Sequence, residues 1–458
     1  MVDGSTRSQF QPFQMRVGVL VLVISIVLTV VHPTLACPFC LSPPQTLSEQ
    51  ISRADVVVIA ELVQFRIFDF GNRAESTLRI REIVRGRHFA SRRKELVPGQ
   101  CITVNGDFSA QRGDLFLMYG ELADTGPVPA SSTFAQDDAA ENSSDSGDRV
   151  TQASLQTRTA FSAFIEKMTF LVPELISWNE TTAISPAMVR YIRQLPGNAV
   201  PPSLRLEYFM KCLEHPDPLI AIDAWAEFGN ATYDDVAAVS HCMSRESLRK
   251  WIADPMMSPE RLGLYGMMLG LCGNSDDAEF LQQQLGDPLG ADFRFGADGL
   301  MAGYLMLAGE RGLSYLEETR VEPANVPATS SHSVVQALQF MWSYECDIIP
   351  QQRVRESMRL FLKHESMREI VIANLSRWED WASLPILLTL FDGECSDDRL
   401  TQRAILQFAQ VCAKSAPATA APPAHAIAAA EFLARVQATQ PDLLTTSDRE
   451  FGPPQQTE

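Results

Sequence analysis

The first strong feature of the chain is an unbroken run of apolar and small residues from Val17 to Val31. Arg7 and Arg16 precede it, and His32-Pro33-Thr34-Leu35-Ala36 follows. At 15 residues it falls short of the ~20 that cross a bilayer core. Next, Thr46-Leu-Ser-Glu49 has capping-box spacing and predicts a short helix reaching Ser52. Val56 to Phe65 is a β-branched apolar run that reads as a buried strand. Ser76 to Val84 alternates through Leu78-Arg79-Ile80-Arg81, the period-two pattern of a strand with one wet face. Cys101 to Val104 and Asp114 to Tyr119 add two more strands, separated by Gly- and Pro-containing turns. Short strands with little helix over 37–122 predict a small closed or partly closed β-barrel.

Residues 123–156 are rich in Ser, Asp, Ala, Thr and Pro without apolar periodicity, and read as a flexible linker. The texture then turns helical over 157–415. Asp217-Pro218 starts a helix that runs Leu219 to Phe228 and stops at Gly229. Pro259 starts another, apolar on both faces, in which Gly263, Gly266 and Gly270 predict close approach of a neighbouring backbone. A third runs Gly299 to Ala308 and ends at Gly309. Each of the three is followed by a polar turn and a second helix: Asp234 to Cys242, Asp276 to Leu285, and Gly312 to Thr319. The terminal glycines are spaced 44 and 36 residues apart, so this region resembles HEAT repeats of ~40 residues. The alternative is an irregular helical bundle. Residues 416–458 read as an Ala/Pro-rich segment, a short helix from Ile427 to Val436, and a disordered tail.

Charge separates these regions. The chain carries a formal net charge of -18. Residues 37–125 hold 11 basic and 11 acidic side chains, whereas 126–458 hold 25 and 44. An acidic helical region disfavours nucleic acid, because its field repels phosphate, and favours a basic protein partner.

A basic flank, a short apolar run and Ala36 before a break are the pattern of an export signal over residues 1–36, placing the protein in the periplasm, at the cell surface or outside the cell. Cleavage after Ala36 makes Cys37 the first mature residue. Membrane attachment would need an uncleaved signal or a lipid on Cys37; Leu35 lies two residues before that Cys, not the three of a lipobox. Export also places the nine cysteines where disulfides persist.

Cysteines at the mature N-terminus, a Pro-containing stretch, a short helix and Ala54-Asp-Val-Val57 resemble the start of the netrin-like module of tissue inhibitors of metalloproteinases. Ile83-Val-Arg-Gly86 and Gly113-Asp-Leu-Phe-Leu117 are similar to that family's later strands. The resemblance implies an OB-type β-barrel over 37–122. Together with the helical array, the chain resembles exported bacterial proteins that pair a netrin-like module with HEAT-like repeats. In the inhibitors the N-terminal Cys chelates a protease zinc, a role that falls here to Cys37. The spacing Cys37-Pro38-Phe39-Cys40 differs from the inhibitors' C-x-C.

The same four residues are the string of a thiol-disulfide oxidoreductase, which needs the first thiol at a helix start. Pro43-Pro44 opposes a helix there. The structural alternative is a disulfide from Cys101 to Cys37 or Cys40. Arg79, Arg81, Arg85, Arg87, Arg92, Arg93 and Lys94 form a basic stretch that reads either as a polyanion-binding face or as a solvated strand edge.

Cys212, Cys242 and Cys272 recur every 30 residues in apolar helical contexts, and read as small buried hydrophobes. Arg377-Trp-Glu-Asp-Trp381 reads as an aromatic anchor between helices, or as a face for a sugar or peptide. No nucleophile elbow, phosphate-cradling loop or zinc-protease motif occurs, so no catalytic residue, metal or cofactor is expected. The expected function is an exported, non-enzymatic binding or scaffold protein. The alternatives are a thiol-disulfide oxidoreductase through Cys37 and Cys40, and a metalloprotease inhibitor through Cys37.

Overall fold

In the computed structural model, Thr46 closes the capping box its spacing predicts: its hydroxyl accepts from Glu49 N–H and its own N–H donates to the Glu49 carboxylate. The structure describes residues 39, 43–68, 73–86, 88–89, 94–105, 110–122, 176–197, 199–286, 294–323, 325–395, 398–415 and 421–443. The signal run Val17–Val31, Cys37, Cys40, the 123–156 linker and the C-terminal tail lie outside them. No helix among the described residues is long and apolar enough to cross a membrane.

Helix α1 (Leu47–Arg53) precedes strands β1 (Val56–Phe68), β2 (Arg73–Arg85), β3 (His88–Phe89), β4 (Lys94–Glu95), β5 (Cys101–Asn105) and β6 (Leu115–Leu122), joined by β7 (Ile176–Ile184). Five of them form an antiparallel, barrel-like sheet in the order β5-β2-β1-β6-β7, and β3 pairs with β4 separately. The first half of β1, Val56 to Ala60, is buried on both faces. Val56, Val58, Ala60 and Leu62 pack with Leu78, Ile80, Ile102 and Met118 on one side. Val57 and Ile59 point the other way and join an apolar cluster that continues through the helices.

β7 differs from the helical reading of 157–415. It covers the edge of β6, whose backbone groups would otherwise lie open. Gly120 makes the pairing possible, because a Cβ there would stand 2.5 Å from the Ile176 Cγ2.

The helical region follows: α2 (Pro186–Gln194), α3 (Pro202–Met210), α4 (Pro218–Gly229), α5 (Tyr233–Ala238), α6 (Arg245–Ala253), α7 (Pro259–Cys272) and α8 (Ser275–Gln284). It continues with α9 (Ala297–Arg320), α10 (Ala328–Tyr344), α11 (Gln351–Leu360), α12 (Arg368–Arg377), α13 (Leu384–Asp392), α14 (Arg399–Lys414) and α15 (Ala424–Thr439). Asp217 caps α4 by accepting from Leu219 N–H at 3.0 Å, with Pro218 in the first turn. The two helices expected on either side of Gly309 run on as α9, broken where Gly309 takes φ 58° and ψ -141°.

Glycines bring α7 against α9 at backbone contact. A Cβ on Gly299 would lie 2.1 Å from the Gly263 carbonyl oxygen, and one on Gly303 would lie 2.0 Å from that of Gly266. The sheet is held to the helices by polar contacts as well as by the shared core. Arg193 on α2 grips Glu82 on β2 with two nitrogens at 2.8 and 2.6 Å. Leu47 N–H of α1 donates to the buried Asp223 carboxylate of α4 at 2.6 Å.

Candidate functional site

Three helix starts converge on a cavity of ≈ 460 Å³. The first turn of α7 contributes Glu260, the entry to α9 contributes Phe295 and Asp298, and α10 contributes His332 and Gln336. Phe39 closes one side. It is buried, its ring centroid is 5.0 Å from that of Phe340, and its Cβ lies close against Gly263, where an added Cβ would stand 3.2 Å away. Phe295, by contrast, is 67% exposed at the rim.

The local chemistry follows from these positions. Helix N-termini carry partial positive charge and favour anionic groups in the first turn. Glu260 and Asp298 supply those groups from within the chain. Burial pushes the Asp298 carboxyl above its ordinary range, against the pull of nearby backbone N–H groups and of His332. His332 faces Gln336, with Nε2 3.1 Å from its amide nitrogen, and the neighbouring Ser333 hydroxyl donates to the Thr329 carbonyl at 3.2 Å. Adjacent on one helix and separately engaged, His332 and Ser333 do not form a nucleophile–base pair. The cavity therefore presents two carboxylates between aromatic walls, a fit for a cation carrying an apolar stem.

The sequence-derived candidates fall elsewhere. Phe39, between Cys37 and Cys40, lines this cavity, while both cysteines lie outside the described residues. Cys101 starts β5 opposite Arg79, is half-buried, and makes no disulfide among the described residues. Of the basic stretch, Arg81 pairs with Glu61 on β1, Arg79 is half-buried and Arg85 is exposed. Lys94 belongs to β4, whereas Arg87, Arg92 and Arg93 lie outside the described residues.

Among the described residues, no group of three potential metal ligands contains more than one of Cys212, Cys242 and Cys272. Cys212 and Cys272 are half-buried, and burial raises both thiols, the latter to about 11, whereas Cys242 is exposed and not the buried hydrophobe its context suggests. The Trp pair is an anchor. Trp378 stacks on Trp342 with ring centroids 4.5 Å apart, and Trp381 packs edge-on against Phe408. Between them Asp380 is buried and gripped by Arg359 at 2.6 and 2.5 Å.

Asp298, Glu260 and Phe295 carry no motif, since an acidic residue in a first turn is ordinary helix chemistry. No family model, curated protein or solved structure matches the chain.

Proposed function

We propose that the chain is an exported, non-enzymatic binding or scaffold protein, and that its helical array takes a basic side chain of a protein partner in the cavity between Phe39, Phe295, Glu260 and Asp298. The observation that carries this reading is the pairing of two carboxylates with aromatic walls at the convergence of α7, α9 and α10. The acidic balance of residues 126–458 supports it by drawing in cationic partners at long range. In the finer reading of the architecture, the sheet is an OB-type, netrin-like barrel and the helices are HEAT-like repeats. Successive packing of α7 on α9 and of α9 on α10 supports the repeats.

Calorimetric titration with Arg- and Lys-containing peptides tests the reading. Saturable binding that weakens with salt, and falls in Asp298→Asn and Glu260→Gln, is the expected outcome. Affinity unchanged in both variants would remove the cavity from the function.

A second reading, thiol-disulfide exchange through Cys37 and Cys40, gains from the position of Phe39 at the same cavity. Mass spectrometry of the exported protein, alkylated before and after reduction, separates the two. Cys37 and Cys40 locked in a stable bridge to Cys101 exclude redox turnover, and a blocked or absent Cys37 amine excludes protease inhibition.

A further inference from the structure

Away from that cavity, Glu207 of α3, His241 and Cys242 bring a carboxylate oxygen, an imidazole nitrogen and a thiol sulfur within 4.8 Å of one another. His241 and Cys242 sit on the 3-10 turn Ser240–Cys242 that ends α5, and α3 packs against α5. We propose that these three side chains form a binding site for a divalent ion of the zinc class, with water in the fourth position.

The donor set matches the ion. Zinc accepts thiolate, imidazole and carboxylate together, at bond lengths of about 2.0–2.3 Å, which puts tetrahedral donors about 3.3–3.7 Å apart. His241 Nε2 already stands 3.8 Å from Glu207 Oε1. No separation in the group needs to close by more than about an ångström, within the reach of side-chain rotation. Harder ions such as calcium and magnesium prefer six or more oxygens, and a thiol ligand works against them.

The imidazole is also oriented for the task. Its Nδ1 lies 3.2 Å from the Ala238 carbonyl oxygen. An N–H there donates to that oxygen and leaves the lone pair on Nε2, the atom facing Glu207. This backbone partner on the remote nitrogen is the arrangement that fixes tautomer and ring orientation in metal-binding histidines. On binding, the Cys242 S–H bond breaks, its proton passes to solvent, and the sulfur lone pair forms the metal–thiolate bond. The ion then ties α3 to the end of α5 across 34 residues of chain.

The site is tested with cobalt as the probe on the full-length chain, kept reduced and stripped of metal with a chelator. One equivalent of Co²⁺ is expected to give a thiolate charge-transfer band and tetrahedral visible bands, both displaced by Zn²⁺. Cys242→Ser abolishes the charge-transfer band. His241→Ala and Glu207→Gln each weaken binding by more than about tenfold. His241 and Cys242 are exposed and Glu207 is half-exposed, and circular dichroism confirms that each variant folds. Because Cys37 and Cys40 offer two further sulfur donors in the reduced chain, the double variant Cys37→Ser/Cys40→Ser serves as the control and retains the bands. A charge-transfer band that survives Cys242→Ser, or one lost only in the double variant, overturns the proposal.

Discussion

The hydroxyl of Tyr191 donates to the carboxylate of Asp223 at 2.7 Å, inside the seam where α1, α2 and α4 meet. The same carboxylate accepts the Leu47 N–H, so one side chain binds the segment before the sheet to the first helices after it. Burial raises its pKa from 3.8 to about 6, and the hydrogen bonds from Tyr191 and Leu47 only partly oppose this.

Between about pH 4 and pH 6 the folded protein holds a proton at Asp223 that the unfolded chain has released. Stability from this group is therefore full below pH 4 and is lost as pH rises to 6, by about 3 kcal/mol. Asp223→Asn keeps an acceptor for Leu47 and a polar partner for Tyr191 while removing the titration. The difference in urea unfolding free energy between the native chain and this variant is expected to fall by that amount from pH 4 to pH 7. A difference independent of pH would refute the assignment.

Gly303 and Gly266 predict a steric effect that outweighs helix propensity. An Ala in place of Gly303 gains ~1 kcal/mol as a helix former. Its methyl, however, would stand 2.0 Å from the Gly266 carbonyl oxygen, and forcing α7 and α9 apart costs about 3 kcal/mol. Gly303→Ala is expected to lower the thermal midpoint through a net loss of about 2 kcal/mol. Gly197→Ala, where a Cβ meets nothing within 4 Å, stays within about 0.5 kcal/mol of the native chain.

The contrast between these glycines shows what was legible in the sequence. Gly263, Gly266 and Gly270 on an all-apolar helix already implied a backbone neighbour, and β1 announced its double burial through unbroken Val56-Val-Val-Ile. Thr46 and Glu49 specified α1 because capping is local. β7 was hidden because its polar strand is specified by a partner, Gly120 on β6, distant in sequence. The cavity was hidden for the same reason. Glu260 and Asp298 look like any acidic first-turn residues until α7 and α9 are placed side by side, and Phe39 joins them from more than 200 residues upstream. His241 and Cys242 are neighbours in the chain, whereas Glu207 reaches them only through the packing of α3 on α5.

Arg320 is 2% exposed, and its guanidinium closes the end of α8. It donates to the Leu285 and Gly286 carbonyls at 2.7 and 3.0 Å, and to the Ser330 hydroxyl at 2.9 Å. Those carbonyls belong to a helix C-terminus with no intrahelical donor left. Arg320→Met preserves length and apolar contact but removes every donor. The expected loss is about 3 kcal/mol, read as a lower urea midpoint with an unchanged slope. A changed slope would instead place the effect in the unfolded ensemble.

If a basic side chain enters the cavity, Asp298 sets the pH dependence of that binding. Its carboxyl is held above the ordinary range by burial, so the anion that attracts a guanidinium forms later on the way up from acid than at a surface aspartate. Affinity for an Arg-containing peptide is therefore expected to rise with pH through that displaced titration, and Asp298→Asn reduces the rise. Two other titratable side chains line the same cavity, Glu260 and His332. A protonated His332 would repel the ligand in acid and so act in the same direction. The variant His332→Gln isolates it: the slope that remains belongs to the carboxylates, and the further loss in Asp298→Asn assigns it to Asp298. A slope that disappears with His332→Gln alone would move the pH control from the carboxylate to the imidazole.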